Sequence, residues 1–162
     1  MRPFAFFAPL AAVTVVAGVA IAQSPEVTVT LGPELVRKTQ DLGERELAQQ
    51  ADQLVRTVER ALEREQALSG ATVSLTLVDI RPNRPTIAQI AAEPGLDAMR
   101  SRSIGGASIE GEVVLADGTR YPVRYSWYSN SIAEVRGFST WHDADHAFDR
   151  FARRLATGRL AG

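Results

Sequence analysis

The chain has 162 residues, with 18 lysines and arginines against 19 aspartates and glutamates, two histidines and no cysteine. A formal net charge of −1 argues against binding nucleic acid through a general electrostatic field and against a polybasic membrane-binding surface. The lack of cysteine excludes disulfides, thiolate metal ligands and a lipid-modified amino-terminal cysteine.

Residues 1–22 have the pattern of a secretory signal peptide. Arg2 supplies the basic start, residues 4–22 are apolar and uncharged, and a small-x-small motif precedes the expected cleavage after Ala22. A retained membrane anchor is the alternative, because about 19 apolar residues can just span a bilayer. Cleavage would leave residues 23–162 as a single domain without a membrane span. An exported protein without cysteine favours a bacterial periplasmic or secreted location.

The first half of this domain contains one strand and one long helical stretch. Alternating apolar residues predict a strand at 27–31. Three- and four-residue apolar spacing predicts a helix within 33–68, and Gly43 should mark its start or a break. Gly70 is expected to cap the end of that helix in the left-handed conformation.

A second strand and a proline-rich connection follow. Residues 71–80 alternate and predict a strand, and residues 81–86 contain two prolines and no periodicity. Thr86 could cap a short helix over 87–93, and residues 96–103 are expected to form a linker.

Residues 104–128 are typical of a β-hairpin around Ala116-Asp117-Gly118. A three-residue loop with Gly118 in the left-handed position keeps one apolar row on one face, which a slip of one residue would destroy. Pro122 cannot donate a hydrogen bond, so its strand should be an edge or carry a bulge. The register then pairs Val113 with Tyr121, Gly111 with Val123, and Ile109 with Tyr125.

The second hairpin strand is rich in aromatic residues. Its alternation predicts that Tyr121, Tyr125 and Trp127 face the helices as core, whereas Tyr128 falls on the other face and is the better surface candidate. A recognition surface, or an edge for strand addition by a partner, is the alternative.

The chain is expected to end with an amphipathic helix. Residues 131–138 predict a short extended return, and Ser139 or Thr140 should cap the helix, with Asp143 in its first turn. Gly158 should end it. The apolar stripe of this helix comprises Trp141, Ala144, Phe148, Phe151 and Leu155.

The order of elements predicts an α+β fold. We expect a mostly antiparallel sheet of about four strands, with two amphipathic helices packed on one face.

Three stretches together resemble a recurring layout: residues 103–115 (SIGGASIEGEVVL), the turn 117–119, and residues 141–155 (WHDADHAFDRFARRL). The layout is similar to small bacterial envelope proteins and lipoproteins of unknown function, in which a G-G-A strand and a hairpin precede a W-x-D-A-x-x-A-F-D-x-[WF]-A-x-x-L helix. Element order alone is also similar to the amino-terminal domain of the Tol translocation protein and to the curli-secretion lipoprotein. The resemblance implies a periplasmic accessory or binding role and assigns no catalytic residue.

The two histidines of the chain lie four residues apart in the last helix. His142 and His146 would share a helix face with Asp149, which gives two nitrogens and a carboxylate to a metal ion. That face is expected to point to solvent, and Arg150 and Arg153 would repel a cation there. A polar helix face is therefore favoured, and a metal-binding protein or metal-dependent hydrolase is the alternative.

Four arginines lie in or near the proline- and glycine-broken loops. A guanidinium in a loop can hold a carboxylate or phosphate by two parallel hydrogen bonds, and Gly105-Gly106 could add backbone amides. The alternative is that these side chains stack on prolines and pair with surface acids. The candidate anion-binding residues are Arg81, Arg84, Arg100 and Arg102.

No motif for nucleophilic catalysis, a phosphate-binding loop or a dinucleotide site occurs in the sequence. We therefore expect a non-catalytic binding or accessory module of the bacterial cell envelope that needs no cofactor. Its expected partner is an envelope protein or a small anionic ligand. A self-associating structural protein, such as a homodimer formed through the hairpin edge, is a further alternative.

Overall fold

A computed structural model describes residues 23–135 and 139–159 of the chain. The signal-like segment 1–22 and its expected cleavage site lie outside these residues. The strands are β1 (Glu26–Leu31), β2 (Thr72–Arg81), β3 (Gly106–Val114) and β4 (Arg120–Tyr128). The helices are α1 (Pro33–Arg37), α2 (Thr39–Leu42), α3 (Glu44–Glu65), α4 (Ile87–Ala92) and α5 (His142–Ala156), with a short 3-10 helix at Ile132–Glu134.

The four strands form one sheet in the order β1-β2-β3-β4. β1 pairs with β2 in parallel, and the other two pairings are antiparallel. A parallel pair needs a crossover connection, which α1, α2 and α3 provide between β1 and β2. The predicted α+β fold with a mostly antiparallel sheet is confirmed.

One face of the sheet carries the core and is covered by α3 and α5. On β2, Val73, Leu75 and Leu77 are buried, while the intervening Thr72 and Ser74 are exposed. This alternation follows from the two-residue period of a strand and places all large side chains under the helices. The fully buried members on the helices include Leu47, Leu54, Val58, Leu62, Ala144 and Phe148.

The helical stretch after β1 is broken into three pieces. Gly43 has φ +91 and separates α2 from α3, as its position in the pattern predicts. α3 ends at Glu65, where Gln66 adopts the left-handed conformation with φ 49. The expectation that Gly70 caps this helix is wrong. Gly70 has φ +68 and lies in the turn before β2, where its N–H donates to Gln23 O over 2.8 Å.

The hairpin has the predicted loop and register. Leu115 N donates to Thr119 O over 2.8 Å, and Gly118, with φ +84, donates back to Leu115 O over 2.9 Å. Val113 pairs with Tyr121, and the other two predicted pairs are also present. β4 is an edge strand, which explains how it tolerates Pro122.

The aromatic side chains of β4 differ in burial from the prediction. Tyr125 and Trp127 are half-buried beneath α5, with Tyr125 packed against Phe151 at a ring-centroid distance of 6.0 Å. Tyr121 is 39% exposed, so its placement in the core is wrong. It lies beside the hairpin loop on an edge strand, where a neighbouring strand covers one side only. Tyr128 faces the other side of the sheet, as predicted.

The entry into α5 also differs from the expectation. Residues 132–134 form a 3-10 turn instead of an extended return, and residues 136–138 lie outside the described part of the chain. The helix begins at His142 without a side-chain cap from Ser139 or Thr140. Instead, the N–H of Asp143 donates to Asn83 Oδ1 over 2.8 Å. A distant residue thus satisfies a first-turn donor that a local cap was expected to satisfy.

Phe148 should dominate the stability of the α5 packing, because its side chain has no exposed surface. We expect Phe148→Ala to lower the free energy of unfolding by about 3–5 kcal/mol, as for other buried aromatic residues. His142 is exposed on the same helix, and His142→Ala should change stability by less than about 0.5 kcal/mol. Urea denaturation measures both, and similar losses would contradict the assigned helix faces.

Candidate functional site

Three buried polar side chains meet where α5 begins. The carboxylate oxygen Oδ2 of Asp143 accepts hydrogen bonds of 2.6 Å from Asn83 Nδ2 and 2.6 Å from Ser129 Oγ. Each of the three residues is less than 10% exposed. A buried carboxylate is costly unless donors surround it, so these residues form one interdependent unit. We call Asn83, Ser129 and Asp143 the Asp143 cluster.

The backbone of the Asp143 cluster fastens neighbouring loops to α5. Asn83 N donates to Thr140 O over 2.7 Å, and Asn83 O accepts from Ser103 N over 3.0 Å. Gly105 lies against this arrangement, because a Cβ there would meet Asn83 Nδ2 at 2.6 Å. The loop after β2, the approach to β3 and the start of α5 are therefore held at fixed positions.

Removing the carboxylate of Asp143 should destabilise the protein. In Asp143→Ala the amide of Asn83 and the hydroxyl of Ser129 lose a buried acceptor, and each unsatisfied group costs about 1–3 kcal/mol. Asp149→Ala is the matched control on the same helix, because Asp149 is exposed and should change stability by less than about 0.5 kcal/mol. Equal shifts of the urea midpoint in the two variants would show that the cluster does not stabilise the fold.

A cleft of about 370 Å³ lies beside this cluster, between the end of β2, α4 and the connection to β3. We call it the β2–α4 cleft. Its charged lining groups are Arg81, Arg102 and Glu93. The remaining lining residues are Pro82, Pro85, Gln89, Leu96, Ser101, Ser103 and Ile104.

Two of the four predicted anion-binding arginines meet in this cleft. β2 and β3 are antiparallel neighbours with Arg81 paired to Gly106, so the connection that carries Arg102 returns beside Arg81. Arg84 is buried, and its Nη1 donates to the backbone carbonyls of the connection at Ala98 and Met99. Arg84 therefore holds the cleft wall.

The remaining predicted groups of the anion site lie outside the cleft lining. Arg100 is exposed, and its backbone N–H donates to the carboxylate of Asp97 over 2.8 Å. Gly105 and Gly106 are buried, so the structure does not place their amides at the cleft surface. The sequence cluster of four arginines thus separates into two cleft residues, one wall residue and one surface residue.

The walls of the β2–α4 cleft are fixed by local hydrogen bonds. Thr86 caps α4, as predicted, in a capping box with Gln89, which also lines the cleft. In the connection, Asp97 accepts backbone hydrogen bonds from Arg100 and Met99, and these lower the pKa of Asp97. Gln89 and Glu93 are lining residues that the sequence pattern does not predict, although Thr86 with Gln89 three positions later is a recognisable capping signal.

Arg81 is oriented by groups on the face of the sheet opposite α3 and α5, which we call the open face. Its Nε donates to Asp79 Oδ2 over 3.1 Å, and its Cζ lies 4.6 Å from the centroid of the Tyr128 ring. Asp79 also receives hydrogen bonds from Tyr128 Oη (2.9 Å) and Lys38 Nζ (3.3 Å). The Arg81 guanidinium is therefore held between an acid and an aromatic ring at the mouth of the cleft.

These contacts shift the ionisation of both partners of Arg81. Partial burial alone would raise the pKa of Asp79, but the Tyr128 hydrogen bond and the charges of Lys38 and Arg81 lower it overall. Burial and the hydrogen bond to Asp79 raise the pKa of Tyr128. Tyr128 thus stays protonated and Asp79 stays charged across the neutral range.

Removing the Tyr128 hydroxyl should raise the pKa of Asp79. A carboxyl group whose pKa is lowered in the folded state stabilises the protein above its unfolded pKa, and this stabilisation is lost as pH falls through the folded pKa. In Tyr128→Phe the loss should begin at a higher pH than in the unchanged protein. An NMR titration of the Asp79 carboxyl group measures the shift, and an unchanged pKa would contradict the role given to this hydrogen bond.

The predicted metal ligands His142, His146 and Asp149 all lie on α5. Within the described residues, no three His, Cys, Asp or Glu groups are placed to hold a metal ion. His142 is exposed, whereas the ring of His146 packs edge-on against Trp127 at 4.9 Å between centroids. The expectation that both histidines face solvent is therefore wrong for His146. The helix pattern alone does not reveal that the β4 edge reaches this side of α5.

The charges around His146 also disfavour a cation. Burial lowers the pKa of His146, and the positive charges of Arg150 and Arg153 lower it further. Asp149 lines a neighbouring depression together with Arg153 and with Arg60 and Arg64 of α3. The surroundings of the predicted ligands are thus rich in guanidinium groups.

The similarity between this chain and known proteins is limited. No protein-family model matches the chain. No curated protein matches it either. The fold is similar to the crystal structure of a "putative lipoprotein" from Caulobacter crescentus CB15, with 13% identity over 85% of each chain and a TM-score of 0.34. Within residues 23–135 and 139–159, no helix is long and apolar enough to cross a membrane.

Proposed function

We propose that this chain is a binding module of the bacterial cell envelope that holds a small carboxylate ligand in the β2–α4 cleft. The observation that carries the proposal is the meeting of Arg81 and Arg102 in one cleft whose walls are fixed by buried polar groups. The envelope location is supported by the signal-like pattern of residues 1–22.

The chemistry of the lining favours binding over catalysis. A guanidinium is a fixed cation that does not exchange protons with a substrate. Arg102 forms no ion pair within the described residues and can hold a negative charge, and Arg81 adds the N–H donors that its pairing with Asp79 leaves available. Gln89 and the two serines of the lining add neutral hydrogen-bonding groups. Glu93 would repel a second carboxylate near α4, which limits the orientations that a ligand could take.

The dimensions of the cleft suit a small ligand. A volume of about 370 Å³ lies at the lower end of the range, about 300–1,000 Å³, that is typical of ligand sites. The cleft walls are fixed by the fold itself, because Arg84 and the Asp143 cluster hold the connection from within. A preformed site loses little conformational entropy on binding.

Binding of succinate, a small dicarboxylate, tests the proposal. We expect saturable shifts in the backbone amide NMR signals of Gln89, Ser101 and Ser103 at constant ionic strength. Arg102→Gln should weaken binding at least about tenfold, because a hydrogen bond to a charged group contributes about 1.5–3 kcal/mol.

The matched control is Arg100→Gln. It removes the same charge two positions earlier in the chain, from a side chain that lies outside the cleft. It should leave the succinate affinity unchanged within about twofold, since a distant exposed charge is largely screened by salt. Equal weakening in both variants, or no saturable shift in the unchanged protein, would overturn the proposal.

A further inference from the structure

A second concentration of arginines lies at the carboxyl end of α5. A depression of about 510 Å³ is lined by Tyr125, Arg150, Arg153, Arg154, Thr157 and Arg159. We call it the α5 arginine pocket. It shares no lining residue with the β2–α4 cleft, so it does not depend on the proposed function.

Helix geometry explains why these arginines converge. Arg150, Arg153, Arg154 and Thr157 are spaced by three, four and seven residues and therefore share one face of α5. Gly158, with φ +73, then turns the chain back. Gly158 N donates to Leu155 O over 3.1 Å, and Arg159 N donates to Arg154 O over 3.0 Å. These two bonds are the hydrogen-bond pattern of a Schellman motif. This turn returns Arg159 to the same face.

Aromatic rings hold two of the guanidinium groups. Cζ of Arg150 lies 5.4 Å from the Trp127 ring centroid, and Cζ of Arg154 lies 5.6 Å from the Tyr125 ring centroid. A cation over an aromatic face is attracted by the ring without using its N–H donors. The rings therefore position these arginines and leave their in-plane donors for a ligand.

Among the described residues, the arginines of the pocket have no carboxylate as an ion-pair partner. Burial and then the charges of Arg150 and Arg153 lower the pKa of His146, and the charge of Asp149 opposes this effect. Arg153 also borders a depression that is lined by Arg60 and Arg64 of α3 and by one acid, Asp149.

Helix-end electrostatics explain only part of this arrangement. Basic residues in a last turn are favoured by the helix dipole, which accounts for Arg153 and Arg154. It does not account for Arg150 one turn earlier, for the aromatic rings beneath two guanidinium groups, or for the return of Arg159. Convergence on one depression of four guanidinium groups that form no ion pair within residues 23–135 and 139–159 is typical of a site for a multiply charged anion.

We propose that the α5 arginine pocket binds a phosphate group. A phosphate monoester carries a charge of about −1.5 to −2 and three terminal acceptor oxygens, which match several planar guanidinium forks better than one carboxylate does. The phosphate could belong to a soluble molecule or to a lipid headgroup. The two sources share this chemistry and are separated by experiment.

Two probes at matched ionic strength separate the sources: inorganic phosphate against chloride, and phosphatidic acid vesicles against phosphatidylcholine vesicles. NMR of the arginine Nε–H signals and vesicle co-sedimentation are the measurements. Binding of inorganic phosphate alone assigns a soluble ligand. Binding to phosphatidic acid vesicles, with or without inorganic phosphate, assigns a lipid headgroup. In either case we expect the paired substitution Arg150→Gln and Arg154→Gln to weaken binding at least tenfold.

The matched control is the paired substitution Arg120→Gln and Arg124→Gln on β4. It removes the same charge from exposed arginines that pair with Glu112 and Glu110. This control should leave phosphate binding unchanged, as should Arg102→Gln in the β2–α4 cleft. Equal weakening by the two paired substitutions would show general charge attraction and overturn the proposal. Failure of the unchanged protein to bind either phosphate probe above its control would overturn it as well.

Discussion

The Asp143 carboxylate is the constraint on which the two arginine-lined surfaces of this protein depend. Burying a charged carboxylate costs several kcal/mol after relaxation, and this cost is offset only when donors are already in place around it. Asn83 and Ser129 supply those donors from the loop after β2 and from the chain just after β4. The loop after β2, the chain after β4 and the start of α5 must therefore pack together, and the position of each segment fixes the positions of the other two.

The consequences of this constraint extend in two directions. Through Asn83, the cluster holds Ser103 and so places the connection that carries Arg102 against Arg81. Through Asp143 itself, it sets where α5 begins and how the helix is rotated over the sheet. Arg150 and Arg154, about two and three turns later, then lie over the rings of Trp127 and Tyr125 on β4. One buried charge thus orients both arginine-lined surfaces.

Local rules predict much of the fold and little of this cluster. The hairpin register follows from the turn residues and the alternating pattern, since a slip of one residue would expose the whole apolar row. Asp143 has an ordinary local explanation as an acid in a first helical turn. Nothing within a few residues of Asp143 indicates that Asn83, sixty positions earlier, surrounds it. The burial of Tyr121 and the exposure of His146 are wrongly predicted for a similar reason. A periodic pattern shows which face of an element a side chain lies on, but it does not show which other elements pack against that face.

The candidate cleft could be predicted in part. Proline- and glycine-broken segments indicate that the arginines near 81 and 102 belong to loops, and the antiparallel return of β3 brings two of them together. Sequence spacing cannot distinguish Arg84, which turns inward to backbone carbonyls, from Arg100, which stays outside. That difference depends on which donors the buried backbone of the connection requires.

The distribution of charge over the surface explains why the net charge of the chain cannot predict where an anion would bind. A net charge of −1 argues against an anion-binding surface only if acids and bases are evenly mixed. On the open face of the sheet they are paired, with Arg124 on Glu110 at 2.9 Å. On α5, aromatic rings take the place of acids beside Arg150 and Arg154. A guanidinium that pairs with a carboxylate, such as Arg81 beside Asp79, is partly neutralised and keeps only its remaining donors, whereas one over a ring keeps its charge and all its donors. The partner of each arginine, and not the number of arginines, decides where this protein can attract an anion.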